Sequence, residues 1–214
     1  MENSLQTIVG DLETMFQMFN DRFYKGELQS PVITVSPDQT SGAYGWLTSW
    51  KAWQREGTEG YYEINMCAEH LNRSYEEVST TLLHEMVHLW NLQVGVQDTS
   101  RGGTYHNKKF KLEADNRGLL ISQHAKYGWT LSELSIDGYK FICENETLSE
   151  MKEKGFGLHR TKMSKVESKS ASKKSSSRKY ICSECGNSIR ATKDINLICG
   201  DCNVAMEIEE KDEE

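Results

Sequence analysis

Two histidines and a glutamate give the first chemical signal, in the run His84-Glu85-Met86-Val87-His88. Residues i and i+4 of a helix lie one turn apart on one face, so both imidazoles can reach a single cation. Zinc takes imidazole nitrogen at about 2.0–2.1 Å and, in catalytic sites, keeps a position open for water. It lowers the pKa of that water to about 7 and polarises a carbonyl. Glu85, on the same helix, is then placed to act as general base and to pass the proton to a leaving amine. Two nitrogens do not complete such a site. The candidates for a third ligand are His106, which follows a Gly-containing loop, and the carboxylates Glu113 and Asp115 beyond it. His106 is the first choice, because a loop of that length can bring its ring back over the helix. A metzincin continuation would need glycine and histidine where the chain has Asn91 and Val94. His70, His124 and His159 have no comparable placement.

A second cluster lies near the C-terminus. Cys182-x2-Cys185 and Cys199-x2-Cys202 are separated by 13 residues. Each CxxC turn aims two thiolates at one ion, and two such knuckles make a closed tetrahedral S4 site. That site would be structural, and a module this small needs its zinc to fold. Gly186 and Gly200 follow knuckle cysteines, where tight turns are expected. A redox role would call for a βαβ setting, which is not apparent. Cys67 and Cys143 stand apart and read as ordinary buried thiols.

The elements that must position these groups follow from hydrophobic spacing. Leu5, Ile8, Leu12, Met15, Phe16 and Phe19 recur at helical intervals and predict a helix over about 5–23. Three strands are predicted at 31–36, 43–53 and 61–67, the last two as a hairpin joined by 54–60. They suggest a small, mainly antiparallel sheet in an α+β fold. Ser74 with Glu77 forms a capping box that opens the His84–His88 helix, and Gly95 is its stop. A further helix is expected over 107–117. Residues 119–159 show no trustworthy element beyond a helix near 147–154.

The run from Leu82 to His88, followed by His106-Asn107-Lys108-Lys109-Phe110, resembles the SprT-like (Spartan-related) metalloproteases. Phe19-Asn20, the segment Phe23 to Leu28, and Ile64-Asn65 fit the same pattern, so the likeness covers roughly residues 5–120. It implies a zincin-like α+β metalloprotease domain, zinc on His84, His88 and His106, and Glu85 as the catalytic residue. In some members the substrates are proteins bound or crosslinked to DNA. Relatives often carry glycine after the third histidine, where this chain has Asn107.

The expected organisation is a protease domain over 1–159, a flexible linker over 160–179, a zinc ribbon over 180–206 and an acidic tail over 207–214. The net charge of −7 conceals a division. Residues 160–179 carry eight Lys+Arg against one Asp+Glu, whereas the segments on either side are acidic. That Ser/Lys-rich stretch is the candidate for salt-sensitive DNA contact. No stretch approaches a membrane span and no secretory pattern opens the chain, so the expected location is the cytoplasm, or the nucleus in a eukaryote. The expected cofactors are two zinc ions, one catalytic and one structural, and the expected partner is a protein substrate. The competing class is a non-enzymatic adaptor that contacts DNA or a repair or transcription complex through the linker and ribbon.

Overall fold

The computed structural model describes residues 4–37, 42–161 and 178–209, and the chain divides into two units, Met1–Lys162 and Met163–Glu214. In the first unit, helix α1 (Leu5–Tyr24) starts at Ser4, whose side chain accepts the Thr7 amide. It buries Ile8, Leu12, Met15, Phe16 and Phe19 along one stripe. Asn20, also buried, closes the exit of the helix by bonding both the amide and the carbonyl of Leu28.

Strands β1 (Val32–Ser36), β2 (Gly45–Leu47) and β3 (Glu63–Cys67) form a sheet in the order β1-β3-β2. β3 is central, parallel to β1 and antiparallel to β2. The second predicted strand is shorter than its β-rich composition suggests. At Thr48 the side-chain hydroxyl accepts the Glu63 amide at 2.9 Å, and regular pairing stops there. It resumes only as a single Trp53–Tyr61 bridge.

Helix α2 (Tyr75–Gln93) begins with the expected capping box, as Ser74 Oγ accepts the Glu77 amide and Glu77 accepts the Ser74 amide. Gly95, at φ 71°, follows its end. The helix is buried on several sides, packing on α1, on β2 and β3, and on a second sheet. That second sheet holds β4 (Thr99–Ser100), β5 (Tyr105–His106), β6 (Leu119–His124) and β7 (Gly128–Leu134), in the order β4-β5-β7-β6. Helix α3 (Lys108–Asp115) joins β5 to β6, and α4 (Ile136–Glu144) and α5 (Glu146–Lys154) complete the unit. Thus 119–144, which showed no reliable pattern, holds a hairpin and a helix. Leu120 and Leu131 are exposed, so apolar residues occur on both faces of the hairpin and blur the two-residue alternation. Cys67 is buried as expected. Cys143 is exposed, because its neighbour Ile142 takes the inward face of α4.

Of the basic segment, residues 162–177 lie outside the described residues. Arg160 belongs to the first unit, where it pairs with Glu69 at 2.6 Å, and Arg178 and Lys179 lie in β8 (Arg178–Ile181) of the second. β8 runs antiparallel to β9 (Ser188–Ala191) and β10 (Glu207–Ile208), so the start of the acidic tail is a strand of the small sheet.

Candidate functional site

His84 and His88 project from α2 one turn apart, and His106 arrives on β5. Their three Nε2 atoms stand 3.0–3.2 Å from one another. Zinc with tetrahedral bonds of about 2.0–2.1 Å would hold nitrogens roughly 3.3 Å apart, so the triangle matches its needs. Proton placement supports the same reading. His88 Nδ1 donates to Asp98 Oδ2 at 2.7 Å. Ser132 Oγ gives its proton to the Thr130 carbonyl at 3.3 Å and is left to accept from His84 Nδ1 at 2.8 Å. With each Nδ1 carrying the proton, the Nε2 lone pairs of both rings turn towards the common centre.

Electrostatics favours neutral rings at two of the three positions. Burial, reinforced by charge on His88 and His106, holds His84 well below its ordinary pKa. Burial and His88 bring His106 down to about 4, against the pull of the Tyr127 carbonyl and of Asp98. For His88 burial opposes the charge, but the hydrogen bond it donates to Asp98 and the carboxylates of Glu85 and Asp98 raise its pKa. Glu85 is buried on α2 between the two histidines, and burial pushes its pKa up to about 7.

Phe110 forms the floor of the cluster. Its ring centre lies 4.6, 4.6 and 4.8 Å from those of His84, His88 and His106, and it is fully buried. The spacing His106-x3-Phe110 thus has a physical reason: the residue one turn into α3 supports the ring that precedes the helix. Asn107 serves as N-cap, its Oδ1 accepting the amides of Lys109 and Phe110 while its Nδ2 donates to the Gln97 carbonyl.

Two glycines allow the close approaches that the cluster needs. A Cβ on Gly128, at φ 76°, would lie 2.2 Å from the His106 carbonyl oxygen. A Cβ on Gly45 would lie 2.9 Å from the Asn65 carbonyl and 3.5 Å from Glu85 Cγ, so β2 runs directly against the helix at Glu85.

The competing carboxylates are engaged elsewhere: Glu113 pairs with Arg117 at 2.6 Å, and Asp115 pairs with Lys111. His70 lies against Tyr44, His124 Nδ1 accepts the amides of Lys126 and Tyr127, and His159 is exposed. Asp98, Asn91, Ser132 and Gly128 escaped the sequence reading. Only Asn91, three residues after His88 on the same helix, had a positional signal.

In the second unit, one ligand atom each from Cys182, Cys185, Cys199 and Cys202 comes within 4.8 Å of the others, with Cys185 and Cys199 Sγ 3.6 Å apart. Zinc–sulfur bonds of about 2.3 Å imply sulfur separations of roughly 3.8 Å, so the set is compatible with a zinc ribbon. The two knuckles are alike. The Gly186 amide returns to the Cys182 carbonyl, and the Asn203 amide to the Cys199 carbonyl. The left-handed turn falls on Gly186 and Asn203, not on Gly200 as the sequence suggested. Asparagine tolerates that conformation better than most side chains. The amides of Cys185 and Glu184 hold the Cys182 thiol down at about 7, whereas its neighbours push Cys202 up to about 12. Crowded thiols that resist joint ionisation suit a cation at their centre.

Among the described residues, no helix is long and apolar enough to cross a membrane. The sequence pattern of the SprT-like family matches residues 12–122. No curated protein and no solved structure matches the chain. Because the matched span covers more than half of the residues and contains all three converging rings, this protein belongs to the SprT-like family, a group made up generally of zinc metalloproteases.

Proposed function

We propose that this chain is a zinc-dependent endopeptidase in which His84, His88 and His106 hold the catalytic zinc, Glu85 is the general base, and the four ribbon cysteines hold a second, structural zinc. The observation that carries this reading is the convergence of three Nε2 atoms, with a carboxyl group buried on the helix that carries two of them. Bound zinc would supply Lewis acidity towards a scissile carbonyl and a water whose pKa falls to about 7. Glu85, buried on the helix that carries His84 and His88, is placed to accept a proton from the attacking water and to return it to the leaving amine.

Substrate would enter as an extended chain. Among the described residues β2 has a strand neighbour, β3, on one side only, and its Gly45 abuts Glu85. A peptide added to that edge could pair with it as a further strand and would place a peptide bond beside Glu85. Tyr44, Trp50 and Trp53, all exposed, flank the same strand and could receive apolar side chains.

The substrates we propose are proteins bound or crosslinked to DNA. The support for this choice is the basic segment: Arg160, Arg178 and Lys179 pair with Glu69, Asp194 and Glu209, and the five lysines between residues 162 and 174 supply charge of the kind that binds phosphate with a strong dependence on salt. A reducing location, cytoplasmic or nuclear, would keep the ribbon thiols available to zinc.

The test is metal analysis of wild type and Glu85→Gln, coupled to cleavage of an unfolded or DNA-bound protein with and without single- and double-stranded DNA. Two zinc ions are expected in both proteins, with cleavage in the wild type alone. Cleavage retained by Glu85→Gln would refute the role of Glu85. DNA binding without any cleavage, unaffected by His84→Ala but lost on deleting 160–214, would instead identify an adaptor.

A further inference from the structure

We propose that Asp98 is a positioning residue that fixes two of the three histidines and thereby sets the affinity of their site for metal; this rests on the reading of His84, His88 and His106 as ligands. Asp98 lies in the loop between α2 and β4 and is buried. Its Oδ2 accepts two hydrogen bonds from α2, one from His88 Nδ1 at 2.7 Å and one from Asn91 Nδ2 at 2.9 Å. Asn91 is itself buried, so the carboxylate is seated by a donor that does not belong to the metal cluster.

The main chain of Asp98 performs a second task. Its carbonyl accepts the Asn107 amide at 2.9 Å, and the next residue, Thr99, pairs with His106 across the β4–β5 ladder. One residue therefore orients the ring of His88 through its side chain and the backbone of His106 through its carbonyl. Loop 94–107 is clipped into place from both ends.

The side-chain bond matters because an imidazole has broad, roughly two-fold freedom about χ2. Only one ring orientation presents Nε2 to the cluster, and only one neutral tautomer leaves it a lone pair. The bond to Asp98 selects both. A carboxylate acceptor also makes the ring a better donor to metal. For His84 the equivalent acceptor is the neutral hydroxyl of Ser132. The structure thus ranks the two supports, with Asp98 the stronger.

The experiment measures zinc affinity of the full chain by competition with a chromophoric chelator, using the ribbon zinc as the internal reference. D98A should weaken the histidine site by about 10–100-fold and leave the ribbon unchanged. S132A and D98N should each lose less, the latter because its amide oxygen can still accept from His88. N91A, which unseats Asp98 without removing it, should fall between wild type and D98A, and it serves the same purpose if D98A does not fold. Cobalt-loaded protein gives a readout that a merely structural role would not move: the exchangeable His88 ring N–H resonance should be slow to exchange in wild type and D98N and lost in D98A. Wild-type affinity in D98A, or in N91A should D98A fail to fold, would overturn the proposal. Zinc bound by wild type at the ribbon alone would overturn the underlying ligand reading instead.

Discussion

Replacing Gly128 with alanine puts a methyl group where β7 meets the strand that carries His106. The new Cβ would stand 2.2 Å from the His106 carbonyl oxygen and 2.9 Å from two ring atoms of Tyr105. Ordinary contact requires a carbon–oxygen gap wider by about 1 Å, so the backbone at His106 has to retreat by a comparable amount. A metal ligand tolerates a misplacement of only about 0.2 Å. In addition, alanine at φ 76° costs roughly 1–2 kcal/mol in the left-handed region. Strain and displaced packing together predict a loss of about 2–4 kcal/mol in stability, and zinc affinity at the histidine site should fall by at least about tenfold, the lower end of the cost of disturbing a ligand's support. Chelator competition and denaturant unfolding measure the two effects. Gly10→Ala is the control: it lies inside α1, its Cβ would meet nothing within 4 Å, and it should gain about 0.5–1 kcal/mol. An alanine at position 128 with wild-type stability and zinc affinity would refute the idea that this close approach places His106.

In metal-free protein, the Glu85 pKa of about 7 lies above its ordinary 4.5, chiefly because of burial. Its contribution is therefore fully present below pH 4.5 and is lost as pH rises through 7. The stability advantage of Glu85→Gln over wild type should grow across that window, to at most about 3 kcal/mol, in the far-UV helical signal; an advantage independent of pH would contradict the burial argument. Ser74→Ala removes half of the capping box and should cost about 1 kcal/mol, with an unchanged denaturation midpoint counting against it. Cys199→Ser should release one zinc equivalent and the order of β8–β10 while sparing the helical signal, because the five α-helices among the described residues lie between Leu5 and Lys154. Retention of both zinc ions would argue against the four-cysteine site.

What could be read from the sequence was what short spacings dictate. The helical positions of His84, Glu85 and His88, the Ser74–Glu77 box and the two CxxC knuckles each depend on residues within a few places of one another. The return of His106 was legible from the Gly-containing loop before it and from the likeness of His106-x3-Phe110 to the family pattern, with Glu113 and Asp115 as the open alternatives. The parallel pairing of β1 with β3 was not legible, since a crossover leaves no periodic trace in the strands it connects. The β6–β7 hairpin was hidden by Leu120 and Leu131 on its outer face, and with it Ser132, which supports His84. Asp98 and Gly128 act through contacts made only after the chain has folded, and nothing in their immediate neighbourhood marks them.

Anomalous diffraction at the zinc edge from crystals of the zinc-loaded protein tests the central claim most directly. Two peaks per chain are expected, one within about 2.0–2.1 Å of Nε2 of His84, His88 and His106, and one within about 2.3 Å of the four cysteine sulfurs. A single peak at the cysteines, or a second peak bound without those three nitrogens, would contradict the account.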